Sequence, residues 1–191
     1  MRKLRSPPPG LSFHDQFAFQ PTGSTTAALI QLLHTITTLL ATHPYVIVYA
    51  LDFSKAFDSV RHSSVLNKYS RMNLSDNIYN WIENFFRDHS HCTRFGDGVS
   101  QFKMILASII QGSGLGPASY VVTASDLHPL TPGNSMVKYA DDTYLIVPAA
   151  NFQLCAGEIA QVESWAAENN LSLNRMKSVE IVIVSPWSKR G

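Results

Sequence analysis

The sequence predicts an α+β fold, on three observations. Helical and strand-like segments mix without the regular strand–helix–strand rhythm of a parallel sheet. The run Tyr45-Val-Ile-Val-Tyr-Ala-Leu51 is continuous and β-branched, as in a strand buried on both faces. Two further short apolar strands flank the adjacent carboxylates Asp141 and Asp142. The chain of 191 residues, 45% of them hydrophobic, suits a single globular domain, or one with a small appendage.

Residues 1–10 read as a basic, Pro-rich tail or linker stump. Ser24 is placed to cap a helix reaching about Thr42. Leu29, Leu32, Leu33, Ile36, Leu39 and Leu40 give that helix one apolar face, and His43-Pro44 ends it. The strand at 45–51 follows. Helices are expected over 62–72 and 76–89, the second packing Ile78, Trp81, Ile82 and Phe85. Segments 91–95 and 99–106 flank Gly96-Asp97-Gly98 as a hairpin. A Gly-rich loop at 112–116 leads through Pro117 into a helix ending near Leu127. Strands at 136–140 and 143–147, a helix over 151–170 and a strand at 179–184 complete the order.

The net charge of +1 excludes a strongly basic, nucleic-acid-coating protein but leaves room for local basic patches. Arg61, Lys68, Arg71, Arg94, Lys103 and Lys138 are candidates for phosphate contacts, against the alternative of solvated surface charge. Cys92 and Cys155 make no disulfide framework, so a reducing compartment is expected. His89, His91 and Cys92 lack a fourth zinc ligand at suitable spacing. No apolar run reaches the roughly 18 residues of a membrane span, and no signal peptide is read.

Three carboxylates stand in costly places. Asp52 directly follows the buried strand, and Asp141-Asp142 sit between two apolar strands. A charge at the end of a buried strand needs a partner or a cation. The plain alternatives are a hairpin turn for Asp141-Asp142 and a helix cap or turn residue for Asp52. Favoured two-residue turns prefer Gly or Asn, however, and adjacent carboxylates repel. Oxygen ligands suit Mg²⁺, and such a set can hold two ions about 4 Å apart for phosphoryl transfer. The Gly-rich segment Gln111-Gly-Ser-Gly-Leu-Gly-Pro117 fits neither a dinucleotide fingerprint nor a Walker loop. It still permits close approach of a ligand to backbone, or is simply a flexible helix entry.

Five blocks together resemble the reverse transcriptases. Ala50-Leu-Asp-Phe-Ser-Lys-Ala-Phe-Asp58 resembles their motif A, and Gln111-Gly-Ser-Gly-Leu-Gly-Pro-Ala-Ser-Tyr120 their motif B. Tyr139-Ala-Asp-Asp142 resembles motif C, and Leu171-Ser-Leu-Asn-Arg-Met-Lys177 motif D. Phe17-Ala-Phe-Gln-Pro-Thr-Gly-Ser-Thr-Thr26 resembles the segment before motif A. The blocks stand in the family order across about residues 16–184, in the wording of non-LTR (LINE-type) retrotransposons of the jockey and chicken-repeat group.

The resemblance implies a right-hand polymerase: an antiparallel palm sheet backed by helices, with partial fingers at about 11–44 and 62–110. The thumb and endonuclease would belong to a longer polyprotein. It implies an RNA-directed DNA polymerase that adds dNTPs to a DNA primer on an RNA template with two Mg²⁺ ions, Mn²⁺ substituting. Asp52, Asp141 and Asp142 would be the catalytic carboxylates and metal ligands, joined by the Phe53 carbonyl. Phe57 would be the gate against a ribose 2′-OH, or else an ordinary core aromatic. Gln111, Gly112 and Gln20 would lie at the nucleotide, and Tyr139 near the primer end. Lys177 would protonate the leaving pyrophosphate, or else be a surface lysine, with Asn174 positioning its loop. Gln20 stands where the family often has Arg, and Gly114 where it usually has Ala or Val. A nuclear or nucleocytoplasmic location is implied by the family alone. Competing expectations are a truncated retroelement remnant that at most binds nucleic acid, and another palm-type two-metal enzyme, such as a cyclase or an RNA-templated RNA polymerase.

Overall fold

The computed structural model describes residues 11–110 and 112–186, so the expected tail at 1–10 lies outside the described residues. The α+β expectation holds. Helix α1 (Thr25–Leu40) is followed by strand β1 (Tyr45–Leu51), the short helix α2 (Ala56–Ser59), α3 (His62–Ser70) and α4 (Asp76–Phe86). Four two-residue strands come next: β2 (Ser90–His91), β3 (Arg94–Phe95), β4 (Gly98–Val99) and β5 (Lys103–Met104). Then follow α5 (Leu115–Thr123), β6 (Ser135–Tyr139), β7 (Asp142–Pro148), α6 (Cys155–Glu168) and β8 (Val179–Val184).

β1 runs through the middle of a four-stranded sheet of order β6-β7-β1-β8, and each neighbouring pair is antiparallel. Its side chains are apolar on both faces because both faces are covered. Val46 and Val48 join Val137 and Ile146 against Ala28 and Ile36 of α1. Ile47 and Leu51 join Leu145, Val147 and Met136 against Tyr120 and Val122 of α5 and Val162 and Trp165 of α6. Val65 and Tyr69 of α3, with Ile82 and Phe86 of α4, extend this second core.

The Ser24 cap is formed: its hydroxyl accepts the Ala27 N–H at 3.0 Å. Two of the expected apolar faces are narrower than their spacing implies. α1 buries Ala28 and Ile36 and half-buries Leu32, Leu39 and Leu40, while Leu29, Ile30 and Leu33 are exposed. A helix laid on a sheet contacts it along a stripe, and residues on the flanks of a wide apolar arc stay in water. α4 likewise turns Ile82 and Phe86 inward and leaves Ile78 and Trp81 exposed. The single expected hairpin is two short ladders, β3 with β4 about Gly96 (φ 58°) and β2 with β5. α2 was not expected; it follows Lys55, whose left-handed φ of 49° breaks the strand direction. The helix expected over 151–170 begins as a 3₁₀ turn at Ala149–Leu154 before α6.

Candidate active site

The carboxylates meet at one end of the sheet through strand register. Leu51 pairs with Thr143, so Asp52 and Asp142, the next residue on each antiparallel strand, extend toward the same end. Tyr139 pairs with Asp142, leaving Ala140-Asp141 as a two-residue turn. The turn alternative thus holds for Asp141 alone, one residue earlier than expected, because Asp142 already belongs to β7. The turn's first residue, Ala140, takes the left-handed φ of 54° that such a turn needs.

Asp141 is half-buried, and burial pushes its carboxyl above the ordinary range. The charges of Asp142 and Asp52 push the same way, so the three groups share one electrostatic neighbourhood. Tyr120 of α5 feels it as well: burial, then Asp141 and Asp142, raise its phenol. Among the described residues, no group of three His, Cys, Asp or Glu side chains is drawn to metal-binding spacing. The donor chemistry nevertheless fits a hard cation: the groups are oxygen ligands, and their mutual repulsion is what a divalent ion relieves.

The backbone of Asp52 is stitched to the loop after α6. Its N–H donates to Ser178 Oγ at 3.1 Å, and its carbonyl accepts the Asn174 N–H at 2.8 Å. Ser54 N–H donates to the Ser172 carbonyl at 2.9 Å, so Phe53 lies opposite Leu173. The same Asn174 accepts the Lys177 N–H through its carbonyl at 3.2 Å and through Oδ1 at 3.3 Å. Lys177 itself is exposed beside this loop.

Phe57 is half-buried, stacked on Tyr120 with ring centroids 4.6 Å apart. With Ile109, Gly112, Ser113, Gly114 and Pro117 it lines an open cavity of about 510 Å³. Gly112 there has φ 77°. A Cβ on Gly116 would lie 2.9 Å from the Ile110 carbonyl oxygen, so this helix entry needs its glycine. Gln111 lies outside the described residues. Tyr139 packs toward α1. Gln20 donates its side-chain amide to the Phe13 carbonyl at 3.0 Å, which anchors the loop before α1.

Two of the basic candidates are corrected. Lys68 and Lys138 are buried, and neither is a phosphate contact nor a solvated charge. Lys68 Nζ pairs with Asp126 at 2.6 Å, and Lys138 Nζ with Asp15 at 3.1 Å. Arg61, Arg71, Arg94 and Lys103 are exposed. The sequence reading also missed Ser178, Tyr120 and Gln16. Ser178 lies one residue beyond the motif D block. Gln16 lies one residue before the block at 17–26, where no spacing rule marks it.

An antiparallel sheet with carboxylates at one end and helices behind it is the palm of a right-hand polymerase. Solved structures share this fold. Telomerase from Candida tropicalis superposes with a TM-score of 0.69 at 14% identity, over 88% of this chain and 30% of that one. Telomerase from Candida albicans gives 0.65 at 12% identity, over 88% and 31%. The chain belongs to the reverse transcriptase (RNA-dependent DNA polymerase) family, whose model matches residues 4–188. It is 25% identical over 181 residues to the RNA-directed DNA polymerase from mobile element jockey of Drosophila melanogaster, covering 89% of this chain and 20% of that protein. It is 28% identical over 151 residues to the Pol polyprotein of the type-1 retrotransposable element R2 of Popillia japonica, covering 72% and 21%. The chain therefore spans about a fifth of the length of these relatives. Polymerases of this family use divalent metal ions.

Proposed function

We propose that this chain is the polymerase domain of a non-LTR retrotransposon reverse transcriptase, which extends a DNA primer with dNTPs on an RNA template. The observation that carries the reading is the register that brings Asp52 to the sheet end where the turn presents Asp141 and Asp142.

Asp52, Asp141, Asp142 and the Phe53 carbonyl would hold two Mg²⁺ ions, or Mn²⁺ in their place. When bound, these ions supply positive charge against the triphosphate and favour ionisation of the primer hydroxyl. The remaining work falls to side chains and backbone that position the reactants. Phe57, braced by its stack on Tyr120, would exclude a ribose 2′-OH with its ring. The cavity at Gly112 lets a nucleotide approach backbone closely. Gln111 would contact that nucleotide, by its place in the motif B block alone. Lys177, tied through Asn174 to the loop that grips Asp52, delivers a proton to the departing pyrophosphate. Tyr139 lies toward the primer end. Gln20 acts indirectly, by holding the loop before α1. Segments 11–44 and 62–110 serve as fingers, and the thumb and endonuclease belong to the longer polyprotein of which this chain would be a part.

Primer extension on an RNA template with Mg²⁺ and dNTPs tests the reading. Asp141→Ala is expected to lower the rate at least about a thousandfold, some 4 kcal/mol of transition-state stabilisation. Extension that persists in Asp141→Ala at the wild-type rate contradicts it.

A further inference from the structure

We propose that Gln16 is the positioning residue that sets the turn carrying Asp141 and Asp142, an inference that rests on the polymerase reading above. Ala140 opens this turn in the left-handed region, at φ 54°. Alanine gains nothing locally from that conformation, and its side chain has no group with which to hold it. The restraint comes from 124 residues away in the chain. Gln16 Oε1 accepts the Ala140 N–H at 3.0 Å, and Gln16 Nε2 donates to the Ala140 carbonyl at 3.3 Å. One side-chain amide thus satisfies both polar backbone groups of the residue that immediately precedes Asp141.

The clamp is itself fixed. Gln16 Oε1 also accepts the Ala18 N–H at 2.9 Å, which holds the side chain in one orientation. The backbone on either side bridges to β6: Lys138 N–H donates to the Asp15 carbonyl at 2.7 Å, and Phe17 N–H to the Lys138 carbonyl at 2.8 Å. Gln16 is 4% exposed, so water does not compete for these bonds. Beneath it, Lys138 Nζ pairs with Asp15 and donates to the carbonyls of Ala124 and Leu127 at 2.8 Å each. The turn is tied through Gln16 to the buried Lys138–Asp15 pair. No hydrogen bond joins Gln16 to a site carboxylate among those the structure describes, so its role is to aim them.

Three readouts on the full chain and its Gln16→Met variant test the proposal: amide hydrogen exchange at Ala140, Mn²⁺ binding by electron paramagnetic resonance, and steady-state extension kinetics. Methionine keeps the volume and removes both bonds to Ala140, along with the one from the Ala18 N–H. Exchange at Ala140 is expected to quicken at least tenfold while the amides at 46–48 stay protected. Mn²⁺ binding is expected to weaken about tenfold, and kcat to fall with KM for dNTP unchanged. The protected amides at 46–48 guard against a variant that does not fold. Unchanged Ala140 exchange in Gln16→Met overturns the clamp. Faster exchange with wild-type Mn²⁺ affinity and kcat overturns the positioning role and leaves Gln16 a stabilising residue. Wild-type protein that binds no Mn²⁺ would instead overturn the polymerase reading, and Ala140 exchange would still decide the clamp.

Discussion

Two glycines in family-like motifs have opposite constraints. A Cβ on Gly23 would lie 2.1 Å from the Phe17 carbonyl oxygen, so no side chain fits without moving backbone. Gly114 has φ −66° at the start of α5, and a Cβ there would meet nothing within 4 Å. The reverse transcriptase pattern usually has Ala or Val at this position, and the structure offers room for either. Gly114→Ala should stabilise the fold by about 0.4–1 kcal/mol, by restricting the unfolded chain. Gly23→Ala should destabilise it by about 1–3 kcal/mol through overpacking. Urea unfolding of the two variants beside the wild type checks both signs.

At the scale of elements, the end of α5 shows how charge can hold packed pieces together. Helix C-termini leave carbonyls without partners. Lys68 of α3 donates to the Thr123 carbonyl at 2.5 Å, and Lys138 of β6 to those of Ala124 and Leu127 at 2.8 Å. Two ammonium groups thus close the negative end of α5 and its 3₁₀ extension. Burial lowers the pKa of each lysine, and Asp126 and Asp15 oppose that shift. Burial also pushes Asp15 up, yet His128 and Lys138 outweigh it and leave its carboxyl below the ordinary range. That contribution is present above the ordinary Asp range and lost as pH falls through the lowered value. Lys138→Met should cost about 3–5 kcal/mol, because it leaves the buried Asp15 with His128 alone and takes a donor from the Ala124 and Leu127 carbonyls. Thermal or urea unfolding measures it, and a cost below about 1 kcal/mol would remove this network from the account.

The same element shows what the sequence makes legible. β1, β8 and, to within one residue, the turn before Asp142 follow from local runs whose pattern is the structure's own. The two buried lysines were readable in principle. Lys68 lies three residues after Val65 on one helical face, and Lys138 shares a strand face with Met136. Residue type argued for surface, and periodicity, which argued for core, was the stronger signal. The widths of the α1 and α4 apolar faces were not legible, because they depend on how much of each helix its neighbour covers. Nor was the Gln16 clamp, since a contact between residues 16 and 140 has no local signature.

Across the whole molecule, the sheet is covered by α1 on one face and by α5 and α6 on the other, and the cost of its design is concentrated at one end. There Asp141 is raised above its ordinary range, first by burial and then by Asp142 and Asp52. A folded state that disfavours an ionised carboxylate loses stability as pH rises from the ordinary Asp range through that raised value. A divalent cation held by these groups removes the penalty and adds its binding free energy, about 2.7 kcal/mol at a hundredfold excess over Kd. For a chain of this size that is a rise of roughly 5–10 °C in Tm. The most direct measurement is thermal unfolding near pH 7 with and without Mg²⁺, for the wild type and for Asp52→Asn/Asp141→Asn. The wild type should rise with Mg²⁺, and the double variant should not respond. An equal rise in both would contradict a cation seat at these carboxylates.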